Sequence, residues 1–246
     1  MIVFEELQPE YVTLDEYAVA VDEHYRLYVN GRLYTSISAN PAGLRELVLG
    51  LLIGDGLATA PREIVSIQMD VESRRIDVTL AREVGFEPYR VEDCGSAAAQ
   101  GVYVRSSATF SLGQVVGLVG EFDRASLRVA RLLAVHSTAV VQPDRGVGVL
   151  AHDPSRHTSA LKALGLAVSR GFELGKSVMV TTGRASSDVV VRAARFQVPV
   201  LVSLKGPLMS GLRASEMLGV TLILSLRRQG GGKEFKAVTH SWRITS

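Results

Sequence analysis

The sequence predicts an α/β protein of two domains, in which an α+β domain precedes a domain of parallel βαβ units. Three observations predict this class. In the last third of the chain, short strand-like runs alternate with helical runs of about ten residues, which is typical of βαβ units. The first 92 residues instead combine paired strand-like runs with one helical run. A hydrophobic fraction of 47% over 246 residues is also enough for a large core.

The first domain is predicted over residues 1–92. YRLYVNGRLYTSIS is interpreted as two strands joined by Asn30-Gly31, a pair that favours a type I′ hairpin turn. A helix should follow, with Asn40 as its N-cap, Pro41 at its first position and apolar residues at helical spacing as far as Leu52. IVSIQMD and RRIDVTL then resemble a second pair of strands.

A linker that contains the cysteine is predicted over residues 93–109, and the second domain over 110–246. This domain should begin with helices at 112–119 and 123–134, followed by the strands TAVVQ and GVGVLAH and a helix from Ser155. Three strands and two helices should then alternate: SVMVTT, SSDVVVRAARF, VPVLVS, LMSGLRASEML and VTLILSL. Such an alternation predicts parallel strands with right-handed crossovers.

Composition and charge exclude several classes of protein. A net charge of +2 with 21% charged residues argues against disorder and gives no strong basic field for nucleic acid. A single cysteine excludes an internal disulfide framework and a multi-cysteine zinc site. The acidic N-terminus and the lack of a long apolar run argue against a signal peptide and a membrane helix. We therefore expect a cytoplasmic protein that binds neither nucleic acid nor membrane.

The stretch TTGRASSD, residues 181–188, is a candidate anion site between a strand and a helix. Ligands gather at such junctions in α/β sheets because free backbone N–H groups point outward there. Gly183 would permit a tight turn, Ser186 would cap the helix, and Arg184 would add positive charge. The alternative interpretation is an ordinary capped helix with a surface arginine.

Histidines provide two further candidates. HDPSRHTSALKALG places His152, Asp153, Arg156 and His157 around a helix start, where they could form either one wall of a polar site or a solvated cluster. A metal centre is not expected, because the two histidines are five residues apart, which is a poor spacing for one helix face. His136 lies among apolar residues and is either a hydrogen-bonded core residue or a functional one.

Cys94 lies in VEDCGSAAAQG, a loop-like stretch of small residues. A free thiol there is either a structural accident or a nucleophile, and nucleophilic chemistry needs access and a lowered pKa. The chain lacks G-x-S-x-G, Walker A and G-x-G-x-x-G motifs, which argues against hydrolase, P-loop and Rossmann interpretations.

Several segments, in order, resemble the formate dehydrogenase accessory family FdhD/NarQ, and the resemblance covers almost the whole chain. CGSAA stands where the family has C-G-x-C-G, and His136 stands at the histidine of its T-G-G-x-H. HDPSRHTSALKALG is similar to EDVGRHNALDKLIG, and TTGRASSDVVVRAARFQVPVLVS to SGRxSSEMVxKAAxxGIPVLxS. The N-terminal block, the GP at 206–207 and VTLILSLRRQG match the family's other segments.

The resemblance implies a cytidine-deaminase-like, three-layer αβα C-terminal domain without the deaminase zinc, in a homodimer. It also implies a sulfurtransferase in which Cys94 carries persulfide sulfur from a cysteine desulfurase. The sulfur is delivered to the molybdenum or tungsten bis(molybdopterin guanine dinucleotide) cofactor of a formate dehydrogenase apoenzyme. That cofactor is a bound client, and no tightly held metal of the protein's own is implied.

The guanine nucleotide, a GDP-like ligand, is predicted to bind at the carboxyl edge of the C-terminal sheet. One side of the site would be the turn after strand 177–182, and the other the end of the last core strand, expected next to it. Arginines can make paired charge-assisted hydrogen bonds to phosphate there. The predicted binding residues are Arg156, His157, Gly183, Arg184, Ser186, Ser225, Leu226, Arg227, Arg228, Gln229 and Gly230.

The sequence departs from the family pattern at several positions that bear chemistry. Ala97 replaces the second loop cysteine, Leu161 replaces the aspartate before Lys162, and Ser155 and Thr158 replace the glycine and asparagine that flank Arg-His. Fold depends on pattern, but chemistry depends on particular side chains. Two alternatives therefore stay open: a non-catalytic paralogue that binds and delivers or protects the cofactor, and a generic nucleotide-binding α/β protein.

Overall fold

The structure, a computed structural model, describes residues 1–86, 89–90, 101–227 and 233–246. It is a mixed α/β fold. The helices are α1 (Leu44–Gly54), α2 (Leu112–Leu133), α3 (Arg156–Ser169), α4 (Ser187–Arg195) and α5 (Met209–Leu218). The first strands are β1 (Val3–Leu7), β2 (Tyr11–Leu14), β3 (Tyr17–Ala20), β4 (Glu23–Val29), β5 (Arg32–Ala39), β6 (Ile64–Asp70), β7 (Arg75–Leu80) and β8 (Tyr89–Arg90). The later ones are β9 (Phe110–Ser111), β10 (His136–Gln142), β11 (Val147–Asp153), β12 (Val178–Thr181), β13 (Val200–Ser203), β14 (Thr221–Arg227), β15 (Lys233–Ala237) and β16 (Ile244–Thr245).

The largest sheet has seven strands in the order β1-β11-β10-β12-β13-β14-β15. Strands β12, β13 and β14 are parallel neighbours, as the alternating pattern predicts. Strand β10 is antiparallel to both β11 and β12, and β1 is parallel to β11. The carboxyl ends of β1, β11, β12, β13 and β14 therefore lie at one edge of the sheet, together with the start of β10. We call this the carboxyl edge.

Helices cover both faces of this sheet, because successive side chains of a strand point to opposite faces. Val178 and Val180 of β12 pack in the same apolar cluster as Phe122 and its neighbours in α2. Met179, between them, belongs to the other apolar cluster, which contains residues of α1, α3, α4 and the five-stranded sheet. The large sheet thus lies between α2 on one side and the remaining helices on the other.

The five-stranded sheet has the order β6-β7-β4-β5-β8, and β2 and β3 form a separate two-stranded hairpin. Helix α1 packs on α3 so closely that their backbones touch. A Cβ on Gly165 would overlap the carbonyl oxygen of Glu46, and a Cβ on Gly50 would overlap that of Leu161. The two glycines thus set the distance between α1 and α3, and with it the position of the five-stranded sheet.

Most predicted elements of the second part of the chain are confirmed within a few residues, but helix α2 is continuous where two helices were predicted. Gly120 is not in the left-handed region, and Val119 and Phe122 beside it are buried against the large sheet, so packing carries the helix through the glycine. Strand β1, the β2–β3 hairpin and β15 were not predicted. The division at residues 92 and 110 stays a prediction. No helix of the described residues is long and apolar enough to cross a membrane.

The start of α1 also differs from the prediction. The N-cap is Gly43, with no side-chain cap, and Asn40 is used elsewhere. The buried Asn40 amide donates to the carbonyls of Glu10 (2.8 Å) and Val21 (2.6 Å), and its oxygen accepts from the Glu10 N–H at 2.8 Å. Asn40 therefore closes the base of the β2–β3 hairpin instead of capping a helix.

Candidate functional site

The turn after β12 forms the centre of the carboxyl edge. The Gly183 N–H donates to Thr181 Oγ1 at 3.0 Å, and the Gly183 carbonyl accepts from Ser203 Oγ of β13 at 3.0 Å. Gly183 does not have a left-handed φ, so the turn itself does not require glycine. Its small size matters for packing, because a Cβ there would lie only 3.0 Å from the Cβ of Arg156. The turn and the start of α3 are therefore in direct contact.

Helix α4 begins at this turn with an N-terminus that no side chain caps. Ser186 occupies the N-cap position as predicted, but its hydroxyl donates to Asp188 and not to a helix N–H group as expected of a cap. The start of α4 therefore combines the positive end of the helix dipole with the exposed Arg184 beside it.

The start of α3 supplies a second positive group. Arg156 is partly exposed, and its Nε is buried without a hydrogen-bond partner in the described parts of the chain. A buried guanidinium nitrogen is costly to leave unpaired. Lys205, in the loop after β13, is exposed at the same edge. Arg156, Arg184, Lys205 and the α4 N-terminus together can hold an anion such as a phosphate.

His157 points away from solvent into a buried chain of ionic groups. Its Nε2 lies 3.2 Å from Asp188 Oδ2, and Arg192 Nη1 lies 3.3 Å from the same oxygen. Arg192 also contacts Asp55 at 3.4 Å, and Asp55 accepts from the hydroxyl of Tyr34 at 2.8 Å. This row of ionic side chains links α3 and α4 to α1 and the five-stranded sheet. Sequence reasoning missed Asp188 and Arg192, although their i,i+4 spacing is a recognisable signal.

Asp153 and Lys162 form a second buried network below the start of α3. Both side chains are 0% exposed, and their charged atoms are 2.8 Å apart. Asp153 also accepts from the N–H groups of Asn40 (3.1 Å) and Ser155 (2.9 Å) and from the Thr158 hydroxyl. Burial lowers the pKa of Lys162, which the nearby Asp153 carboxylate opposes. This network fixes the helix start that carries Arg156.

The histidines 136 and 152 lie on opposite faces of the large sheet. His136 is on the face of Arg156, and burial lowers its pKa, as do the charges of Arg156 and Lys205, against the opposing effect of Asp153. His152 is buried on the other face, where its Nδ1 lies 2.8 Å from Ser137 Oγ, and burial lowers its pKa to about 4. Of the two interpretations left open, the solvated cluster is wrong: strand alternation separates His152 from Arg156, and His152, Asp153 and His157 are buried.

The predicted second half of the nucleotide site is only partly described. Strand β14 ends at Arg227 on the carboxyl edge, but β13 lies between it and β12, so the two strand ends are not neighbours as expected. The intervening βαβ unit places its own strand there. Ser225 is partly exposed, and only the backbone is described for Leu226 and Arg227. Cys94, Arg228, Gln229 and Gly230 lie outside the described residues.

No group of three His, Cys, Asp or Glu side chains within residues 1–86, 89–90, 101–227 and 233–246 could hold a metal ion. The groups assembled at the carboxyl edge are instead cationic or donors of hydrogen bonds, which suits an anionic ligand.

Comparison with known proteins shows relatives over almost the full length. The sequence model of the FdhD/NarQ family matches residues 20–245. The protein named sulfur carrier protein FdhD of Wolinella succinogenes is 24% identical over 99% of this chain and 88% of its own. Its namesake in Methanothermobacter thermautotrophicus is 28% identical over 92% of this chain and 91% of its own. A crystal structure described as a formate dehydrogenase accessory protein of Desulfotalea psychrophila shares the fold, with a TM-score of 0.76 at 22% identity, over 97% of this chain and 98% of that one.

Proposed function

The chain belongs to the FdhD/NarQ family, and from this we propose that it is a sulfur carrier in formate dehydrogenase maturation. The observation that carries the proposal is the family match over residues 20–245, in which Cys94 is the one cysteine available to carry sulfur. The relatives named sulfur carrier protein FdhD support the same role.

The proposed chemistry is persulfide transfer through Cys94. The Cys94 thiolate attacks the outer sulfur of a persulfide on a cysteine desulfurase, and a new S–S bond forms as the old one breaks. The donor cysteine leaves as a thiolate, so the exchange needs no external oxidant or reductant. In the second step the S–S bond of the Cys94 persulfide would break, Cys94 would leave as a thiolate, and the outer sulfur would pass as sulfide to the molybdenum or tungsten cofactor of the formate dehydrogenase apoenzyme. The two electrons for this step would come from the reduced metal of that cofactor. One cysteine is sufficient for these steps, although Ala97 replaces the second family cysteine.

We also propose that the carboxyl edge binds the guanine-nucleotide end of that cofactor. The unpaired Nε of Arg156, the uncapped start of α4 and the exposed Arg184 support a phosphate site there. Gly183 leaves room for Arg156, and Ser186 shapes the turn. His157 is buried against Asp188, so its proposed role is to support the site from below. The residues from Ser225 to Gly230 stay part of the proposed site.

A cytidine-deaminase-like C-terminal domain is supported by a mixed sheet between α2 on one face and α3 and α4 on the other. A homodimer in the cytoplasm is the expected state of the protein.

Sulfur loading should be visible by mass spectrometry. When the protein is incubated with a cysteine desulfurase and cysteine, without reductant, we expect it to gain the mass of one sulfur atom at Cys94. The Cys94→Ala variant should gain none. Failure of the parent to load, under conditions that load a two-cysteine relative, would exclude the sulfur-carrier proposal.

The replacement of the second family cysteine by Ala97 favours one alternative, a cofactor-binding paralogue without sulfur chemistry. The same Cys94→Ala variant separates the two functions. Cofactor delivery to formate dehydrogenase should survive in this variant only if the paralogue hypothesis holds.

Nucleotide binding should depend on Arg184. We expect Arg184→Ala to weaken GDP binding by about 1.5–3 kcal/mol, the range for a hydrogen bond to a charged group. Isothermal titration calorimetry measures this directly. Arg62→Ala is the matched control, because it removes an exposed arginine beside the five-stranded sheet and should leave GDP affinity unchanged. Equal GDP affinity of the parent and Arg184→Ala would place the nucleotide elsewhere.

A further inference from the structure

Charge is distributed very unevenly along the chain. The first 25 residues hold seven of the 25 acidic residues and none of the 27 lysines and arginines. The protein therefore has a locally acidic N-terminal segment on a body that is otherwise basic. Such an asymmetry is a feature of surfaces that recognise partners by charge.

The acidic segment includes the β2–β3 hairpin, whose apolar side chains are strongly exposed. All four residues of β2 are exposed, and Leu14 and Tyr17, on either side of the turn, are 60% and 67% exposed. Tyr11, Val12 and Val19 are also exposed. A two-stranded hairpin is marginally stable alone, and a cluster of exposed apolar residues of this kind marks an interaction surface.

The acids of the hairpin form no ion pairs in the described part of the chain, unlike other acids of the same segment. Three acids of the segment, Glu5, Glu6 and Glu23, form ion pairs with arginines. By contrast, the acids that flank the hairpin strands form no ion pair with any residue that the structure describes; they are Glu10, Asp15, Glu16 and Asp22. The hairpin therefore presents an apolar centre with unneutralised acids around it.

The hairpin lies next to the candidate site. Strand β1 ends at Leu7, opposite Ala151 at the carboxyl edge, and the hairpin follows within a few residues. Asn40 holds the base of the hairpin through Glu10 and Val21, and its own N–H donates to Asp153 of the site. A partner on the hairpin would thus stand beside the carboxyl edge.

A cleft continues this surface at the base of the hairpin. It has a volume of about 700 Å³ and combines acidic with apolar lining. Leu44 and Met69 contribute apolar surface. The charged lining residues are net acidic, since four glutamates outnumber two arginines; they are Glu10, Glu23, Glu46, Glu72, Arg45 and Arg74. A net acidic surface with apolar residues therefore extends from the hairpin to α1 and the end of β6.

We propose that the β2–β3 hairpin and this cleft are the docking surface for the sulfur-donor protein, which would present lysine and arginine side chains around an apolar centre. The identity of the partner rests on the proposed function. Strand β8 ends four residues before Cys94 in the sequence. Because β8 is parallel to β5, its end points the same way as the end of β5, which Asn40 directly follows. A donor on the hairpin is therefore on the side from which the chain continues to Cys94.

The test measures the affinity of the full chain for a cysteine desulfurase by biolayer interferometry. Glu10→Lys/Glu16→Lys reverses charge at the hairpin, and Leu14→Ser/Tyr17→Ser removes its apolar centre. We expect each of these two variants to lose at least tenfold in desulfurase affinity. Their GDP affinity and their melting temperature should equal those of the parent. Glu83→Lys/Asp144→Lys and Val65→Ser/Val116→Ser are matched controls on other exposed surfaces and should bind like the parent.

Three outcomes would overturn the docking proposal. The hairpin variants could bind the desulfurase as well as the parent does, or the parent could show no affinity for it. Alternatively, the variants could dissociate a dimer in analytical ultracentrifugation while they keep their desulfurase affinity, which would make a second copy the occupant. If Cys94 of the parent still loads with sulfur, these results reject the docking surface alone; if it does not load, the sulfur-carrier function fails as well.

Discussion

Replacement of Lys162 by methionine is expected to lower the free energy of unfolding by about 3–5 kcal/mol, the range for breaking a fully buried ion pair. The loss arises because Asp153 would be left without its cationic partner in a site with 0% exposure. The carbonyl of Asn40, which accepts from Lys162 Nζ at 2.8 Å, would also lose its donor. Chemical denaturation monitored by circular dichroism gives the difference.

Two controls define what this measurement shows. Lys176→Met removes a lysine from an exposed pair with Glu173 and should leave stability unchanged within error. The double variant Lys162→Met/Asp153→Asn removes both charges and should be more stable than Lys162→Met alone. If the single and double variants are equally destabilised, the penalty is not electrostatic and the interpretation of the pair is wrong.

The same small substitution, glycine to alanine, should have opposite effects on two helices. Gly165→Ala in α3 is expected to cost about 3 kcal/mol, the upper end for an overpacked core, because the added methyl meets the backbone of α1 and not a movable side chain. The measurement is again the free energy of unfolding.

Gly117→Ala in α2 is the matched control. Gly117 is exposed and a Cβ there would meet nothing within 4 Å, so the better helix propensity of alanine should stabilise the protein by up to about 1 kcal/mol. A neutral or stabilising Gly165→Ala would mean that α1 and α3 can separate at little cost, and that the glycines do not set their distance.

The alternating strands and helices of the second half were predictable because each of them has a recognisable local sequence pattern. The strands β12, β13 and β14 are continuous apolar runs, and glycines or polar residues separate them from helices with a clear period. Strand β1 could not be predicted in this way. Its partner β11 is far away in sequence, and its residues VFEEL do not alternate between apolar and polar as a half-buried strand would.

The candidate site was predictable in its location more than in its contacts. The rule that ligands gather at the carboxyl ends of strands identified the turn at Gly183, and the structure brings Arg156 to it. The i,i+4 pair of Asp188 and Arg192 carries a signal in the sequence. Their contacts with His157 and Asp55 were not predictable, because they arise from the packing of α4 against α3 and α1. A sequence pattern shows which residues are polar, but not which of them are buried together.

The place of β1 in the large sheet also has a consequence for synthesis of the protein. Val3 pairs with Val147, which leaves the ribosome 144 residues later. At about 5–20 residues per second, this strand waits roughly 7–30 s for its partner. Until then the acidic and apolar residues of β1 have no strand to pair with and are open to chaperones and proteases. This strand is thus made well before the strand on which it docks.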